Sequence, residues 1–180
     1  MSSMQFLVGT IFDLYLMVVL LRLWLQLAQA DFYNPFSQFV VKATHPIVAP
    51  LRKVFPSFGR IDTATLVLAV LVAGLKIVAL NLLIGNSNFN PISLVLGAML
   101  ITLKEAFTLV MWVLILRAIM SWVSQGHNPM QMVLGQLTEP MLAPIRKRLP
   151  EMGGLDLSVM VVILGLIFLQ KLMGDLFGFF

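Results

Sequence analysis

Four stretches of this chain are apolar for long enough to cross a bilayer. About 20 residues rising 1.5 Å each span the hydrocarbon, and residues 5–28, 64–84, 99–123 and 157–177 meet that length. Between the second and third, residues 85–91 (GNSNFNP) are turn formers without charge, which predicts a tight connection. Residues 92–98 fit either a longer third helix or a separate interfacial piece. The pattern predicts an all-α integral membrane protein with four transmembrane helices.

The polar stretches between the runs repeat. Residues 34–62 match residues 128–156 at an offset of 94: Asn34-Pro35 recurs as Asn128-Pro129, Thr44 and Pro46 as Thr138 and Pro140, and Pro50, Arg52 and Lys53 as Pro144, Arg146 and Lys147. Pro56, Gly59 and Asp62 return as Pro150, Gly153 and Asp156. At an offset of 95, Arg22 pairs with Arg117 and Lys76 with Lys171. A duplication of this kind marks a repeat architecture. Each half is helix, polar segment, helix. Two crossings per half return the chain to its starting side, so the repeats are expected to run parallel about an axis near the membrane normal. The halves comprise residues 1–84, with segment 30–62, and 92–180, with segment 124–156.

Seven of the 12 Lys and Arg residues (Lys42, Arg52, Lys53, Arg60, Arg146, Lys147 and Arg148) lie in the two segments. The excess of positive charge predicts that both segments are cytoplasmic and both termini outside. Within each segment, Asn-Pro is a helix start: Asn caps free amides, and Pro at the first position lacks only an amide that had no partner. Phe36, Phe39, Val40 and Ala43, and likewise Met130, Val133, Leu134 and Leu137, fall at i, i+3, i+4, i+7 and predict short interfacial helices with one apolar stripe each. Pro46, Pro50 and Pro56, and Pro140, Pro144 and Pro150, are expected to break these helices repeatedly. Gly59 and Gly153 allow turns, while Asp62 and Asp156 precede apolar runs as helix caps. Arg52, Lys53, Arg146 and Lys147 can reach phosphates, which makes them candidates for binding anionic lipid headgroups or an acidic partner. The alternative is a re-entry into the membrane that serves structure alone.

Charges also fall inside the runs. Asp13, Arg22, Lys76, Lys104, Glu105, Arg117 and Lys171 each cost about 2.5–3.5 kcal/mol at mid-bilayer, so they need partners or a way out. Arg22 and Arg117 lie about two turns from the cytoplasmic end and are expected to snorkel to headgroups. Asp13, Lys76, Glu105 and Lys171 reach similar depths and form a candidate intramembrane cluster. That cluster reads either as helix-fixing salt bridges or as a proton or cation pathway.

Composition sharpens what is excluded. Of the 180 residues, 59% are hydrophobic and 11% charged, and a mean hydropathy of +0.96 exposes too much apolar surface for a soluble enzyme fold. The net charge of +4 is divided among apolar stretches and makes no broad face for nucleic acid. With no cysteine and only His45 and His127, a metal site is not expected. Neither a hydrolase elbow nor a phosphate loop appears, so no catalytic residue or cofactor is predicted. The uncharged start and long first run differ from a secretory signal, so the first helix is expected to persist.

The segments DFYNPFSQFVVKATHPIVAPLRKVFPSFGRID and GHNPMQMVLGQLTEPMLAPIRKRLPEMGGLD resemble the signature of the bacterial YggT family, with its NP, PxxxPxR, P, G and D positions in the two-copy, proteobacterial arrangement. The resemblance covers nearly the whole chain. It implies a cytoplasmic-membrane protein tied to osmotic or extracytoplasmic stress tolerance, ion balance or the assembly of membrane complexes, and no catalytic activity. The expectation is a non-enzymatic protein acting through its basic segments on lipid or other membrane proteins, with a homo-oligomer compatible with its size. A small channel or transporter subunit is the alternative.

Overall fold

The computed structural model describes residues 2–88, 90–123, 128–148 and 157–178. They form six helices: α1 (Ser3–Leu27), α2 (Pro35–Val54), α3 (Thr63–Leu83), α4 (Pro91–Val123), α5 (Pro129–Arg146) and α6 (Leu157–Phe177). There is no strand among the described residues. Four helices, α1, α3, α4 and α6, are long and apolar enough to cross a membrane, and at most 28% of each crossing window is buried within the chain. So much outward apolar surface needs lipid around it, and the chain is a multi-pass membrane protein.

The helices begin and end where their local chemistry dictates. Ser2 and Gln5 form a capping box at α1. α1 closes with Ala30 N–H donating to the Leu25 carbonyl at 2.9 Å, Gln29 taking the left-handed corner at φ 52°. At the end of α3 the same corner is taken by Gly85 at φ 75°, and Asn86 N–H closes onto the Asn81 carbonyl at 3.0 Å. This is the backward hydrogen bond that satisfies terminal carbonyls. Residues 92–98 belong to α4: Asn90 accepts from the Ile92 amide at 2.9 Å, and the helix started there continues unbroken to Val123. At 33 residues it is about 50 Å long, well beyond the hydrocarbon thickness.

Each half packs as a three-helix unit with the same internal contacts: α1, α2 and α3 touch pairwise, and so do α4, α5 and α6. The halves meet through α3 on α4, α1 on α4 and α2 on α5. Small residues allow the α3–α4 approach: a Cβ placed on Gly74 would lie 3.8 Å from the Ala98 Cβ, and one on Gly97 only 3.2 Å from Ile77 Cδ1. Close backbone approach of this kind replaces the missing hydrophobic drive between helices in lipid. One core joins Leu16 and Val19 of α1, Leu68 and Val72 of α3, Val40 of α2 and Val133 and Leu137 of α5. A second core, with Leu114, Leu142 and Val162, belongs to the second half.

The proline expectation is corrected. Pro46 and Pro50 lie inside α2 and do not break it, and Pro140 and Pro144 lie inside α5 likewise. Each pair is spaced i, i+4 and exposed. The lost amides and the carbonyls they leave unpaired therefore share one outward face, and the inward face keeps its ladder. The buried face of α2 lies beside the predicted apolar stripe and shares Val40 with it. It is Ser37, Val40, Thr44 and Val48, while Phe39 is 61% exposed and Ala43 is exposed. A helix lying between a bundle and lipid has two apolar sides, so apolar spacing alone does not say which one packs inward. In α5 the predicted Val133, Leu134 and Leu137 are buried.

Candidate functional site

The two Asn-Pro starts place α2 and α5 side by side. Asn34 Oδ1 accepts from the Phe36 amide at 2.9 Å, and Asn128 Oδ1 accepts from the Met130 amide at 3.0 Å, with Pro35 and Pro129 as first helical residues. Asn34 does more than cap: its Nδ2 donates to the Pro129 carbonyl at 2.7 Å, across the repeats. The Asp31 amide donates to Gln136 Oε1 at 2.9 Å. The segments from the two halves thus form one joined surface at the same end of the bundle.

Each helix is fixed to its bundle by an arginine. Arg22, only 4% exposed, donates through Nη1 to Thr44 Oγ1 at 2.8 Å and to the Val41 carbonyl at 3.3 Å. The Thr44 hydroxyl in turn donates to the Val40 carbonyl at 2.7 Å. In the second half Arg117 Nη1 donates to Thr138 Oγ1, whose hydroxyl donates to the Leu134 carbonyl at 2.7 Å. Both threonines are fully buried. Sequence reasoning had Arg22 and Arg117 snorkelling outward and missed these contacts. A cue was present, since the arginines and the threonines are both duplicated polar residues.

The carboxylates that accompany the clamps differ. Asp62, fully buried, pairs with Arg52 at 2.5 Å and accepts from the Thr65 hydroxyl at 2.8 Å. Burial alone pushes its carboxyl up, but hydrogen bonds from Arg52 and Thr65 outweigh this and hold it below the usual carboxylate range. Asp62 is the N-cap residue of α3, as expected, with its carboxylate held by Arg52 and Thr65. Glu139 stands between two guanidiniums, Arg117 at 2.9 Å and Arg146 at 2.9 Å. The hydrogen bond from Arg117, with the charge of Arg146 behind it, holds Glu139 below its ordinary value against a smaller effect of burial.

Among the residues proposed for lipid or partner binding, Arg52 and Arg146 are therefore engaged within the chain, while Lys53 and Lys147 are exposed. Gly59 takes φ 59° in the turn before α3. Pro150, Gly153 and Asp156 lie outside the described residues, as does His127. Inside the membrane, Lys76 Nζ donates to Asp13 Oδ1, joining α3 to α1, and Glu105 on α4 is within electrostatic reach of both. Lys171 is not drawn in. It is exposed on α6, which packs on α4 and α5. Equal depth did not give equal direction around the bundle. Among the described residues no cluster of three or more His, Asp or Glu side chains is placed to hold a metal ion.

The comparisons with known proteins agree with the duplicated architecture. A family model described as CCB3/YggT matches residues 1–83 and 96–177. A Vibrio alginolyticus protein described as an uncharacterized protein in the proC 3' region is 56% identical over 180 residues, covering 99% of this chain and 97% of its own. The Escherichia coli K12 uncharacterized protein YggT is 50% identical over 164 residues, 91% of this chain and 85% of its own. An uncharacterized Haemophilus influenzae protein is 40% identical over 178 residues, 99% of this chain and 95% of its own. No solved structure matches. With its two matched segments coinciding with two clamped three-helix units, the chain belongs to the CCB3/YggT family.

Proposed function

We propose that this chain is a non-enzymatic protein of the bacterial cytoplasmic membrane that assembles or supports a membrane complex under osmotic or extracytoplasmic stress, using α2 and α5 as one cytoplasmic docking surface. The observation that carries the reading is the direct joining of the two helices through Asn34 and Pro129 at 2.7 Å, each helix being separately clamped to its bundle. A surface built twice, fixed twice and tied together is pre-organised for binding, which reduces the ordering cost of a complex. Lys53 and Lys147 supply outward positive charge, while Arg52 is held by Asp62.

Site-specific photocrosslinking from exposed positions of α2 and α5 in stressed cells tests this. Discrete protein adducts are expected, weakened in Lys53→Gln/Lys147→Gln, a pair that leaves every clamp in place. Cells showing no adduct from either helix would refute the docking role.

A second reading, a small proton or cation conductor, draws on the Asp13–Lys76 pair and on Glu105 beside it. Intramembrane ionisable groups are functional candidates by default. Flux through purified protein in liposomes, lost in Lys76→Met, would favour it over the docking role.

A further inference from the structure

We infer that the end of α2 and the turn after it, from Lys53 to Ile61, form a wedge that enters the lipid interface and seats anionic phospholipid headgroups. The wedge combines exposed apolar side chains, Val54 at 69% and Phe58 at 73% with Phe55 and Ile61 beside them, with the exposed cations Lys53 and Arg60. Its shape is fixed. Phe58 and Ile61 exchange both backbone hydrogen bonds at 3.1 Å, Gly59 takes the left-handed corner, and Arg60 stands at the tip. Below the tip, Arg52 and Ser57 hold Asp62, and the Thr63 hydroxyl donates to the Pro56 carbonyl at 2.7 Å.

Position decides the occupant. α3, a membrane-crossing helix, begins at Thr63, so Arg60 is three residues from the start of a span and within about 10 Å of it along the chain. A tip on so short a tether stays in the headgroup layer, where an aromatic ring with a cation beside it is favoured. Neither Lys53 nor Arg60 has an acidic partner among the described residues, so lipid phosphate supplies the missing counter-charge. The second half has Met152, Gly153, Gly154 and Leu155 where the first has Phe58, Gly59, Arg60 and Ile61. The aromatic ring and the tip cation are thus particular to the first half. This inference shares Lys53 with partner docking on α2 and α5 and otherwise rests on Phe58 and Arg60, which that reading does not use.

The chain has no cysteine, so Phe58→Cys carries a single nitroxide in nanodiscs of phosphatidylglycerol. The label is expected to be more open to oxygen than to a water-soluble nickel chelate. In the otherwise native chain, Lys53→Gln/Arg60→Gln should weaken phosphatidylglycerol binding roughly 30-fold with helix content unchanged. A label as open to nickel as free spin label, or unchanged phosphatidylglycerol binding in the double variant, would overturn the inference. So would equal binding of phosphatidylcholine by the native chain. A label shielded only when a protein is captured would overturn it in favour of a protein occupant, and failed crosslinking from α2 and α5 would leave it standing.

Discussion

The two halves share one clamp, and the second adds an acid to it. In both, an arginine from the first spanning helix is received by a buried threonine on the short helix, Arg22 by Thr44 and Arg117 by Thr138. In the first half the acid lies beyond the short helix, at Asp62, and holds Arg52 while Arg22 rests on neutral acceptors. In the second, Glu139 sits on the short helix itself and links Arg117 to Arg146; the corresponding residue of the first half is His45. The donor and the hydroxyl are common to both halves, and among the described residues the second half adds an acid on the short helix that the first half lacks. Asp62 is sealed away and Glu139 is half-exposed, so the two carboxylates carry unequal weight.

The largest contrast should come from the acids. Asp62→Ala leaves Arg52 without its partner and the Ser57 and Thr65 hydroxyls without their acceptor, and is expected to cost about 3 kcal/mol. Glu139→Gln should cost about 1 kcal/mol or less, because its pairs are open to solvent. Thermal unfolding in detergent of both variants measures the gap, and equal shifts would mean that burial does not set the two acids apart. Next in size is the hydroxyl. Thr44→Val removes the nearer of two acceptors from a buried charge and should cost about 2 kcal/mol. Thr138→Val should cost less, since Arg117 keeps Glu139. If Thr138→Val proves the worse, Glu139 is not supporting Arg117. The smallest effect is that of acid on the wild type. Both carboxyls lie below their unfolded values, so the stability they add is complete above the ordinary carboxylate range and is lost as pH falls through the folded values. Melting temperature should hold between about pH 8 and pH 5 and drop below about pH 4, more steeply in Glu139→Gln, where Asp62 still responds, than in Asp62→Ala.

Much of the architecture was legible because it is written in strong, local signals. The four crossing runs, the Asn-Pro starts at Asn34 and Asn128 and the offset that equates the halves all follow from residue type and spacing. What was not legible concerns direction around a helix axis. Depth placed Lys171 beside Asp13, but α6 turns it elsewhere. Apolar spacing gave α2 a stripe with Phe39 and Val40 but not the side that packs inward, which holds Ser37, Val40, Thr44 and Val48. The proline rule failed for a related reason, because Pro46 and Pro50 share an exposed face where unpaired carbonyls do little harm. The partnership of Arg22 with Thr44 needed α2 to fold back on α1 with the right face inward.

The hydroxyl on each short helix has a single hydrogen, and that hydrogen already points back along its own backbone to Val40 or Leu134. Only its lone pairs face the bundle. Positions 22 and 117 therefore tolerate a side chain that gives a proton and reject one that must receive it: lysine could still be accommodated there, whereas glutamate would confront oxygen with oxygen and lift the short helix from its seat.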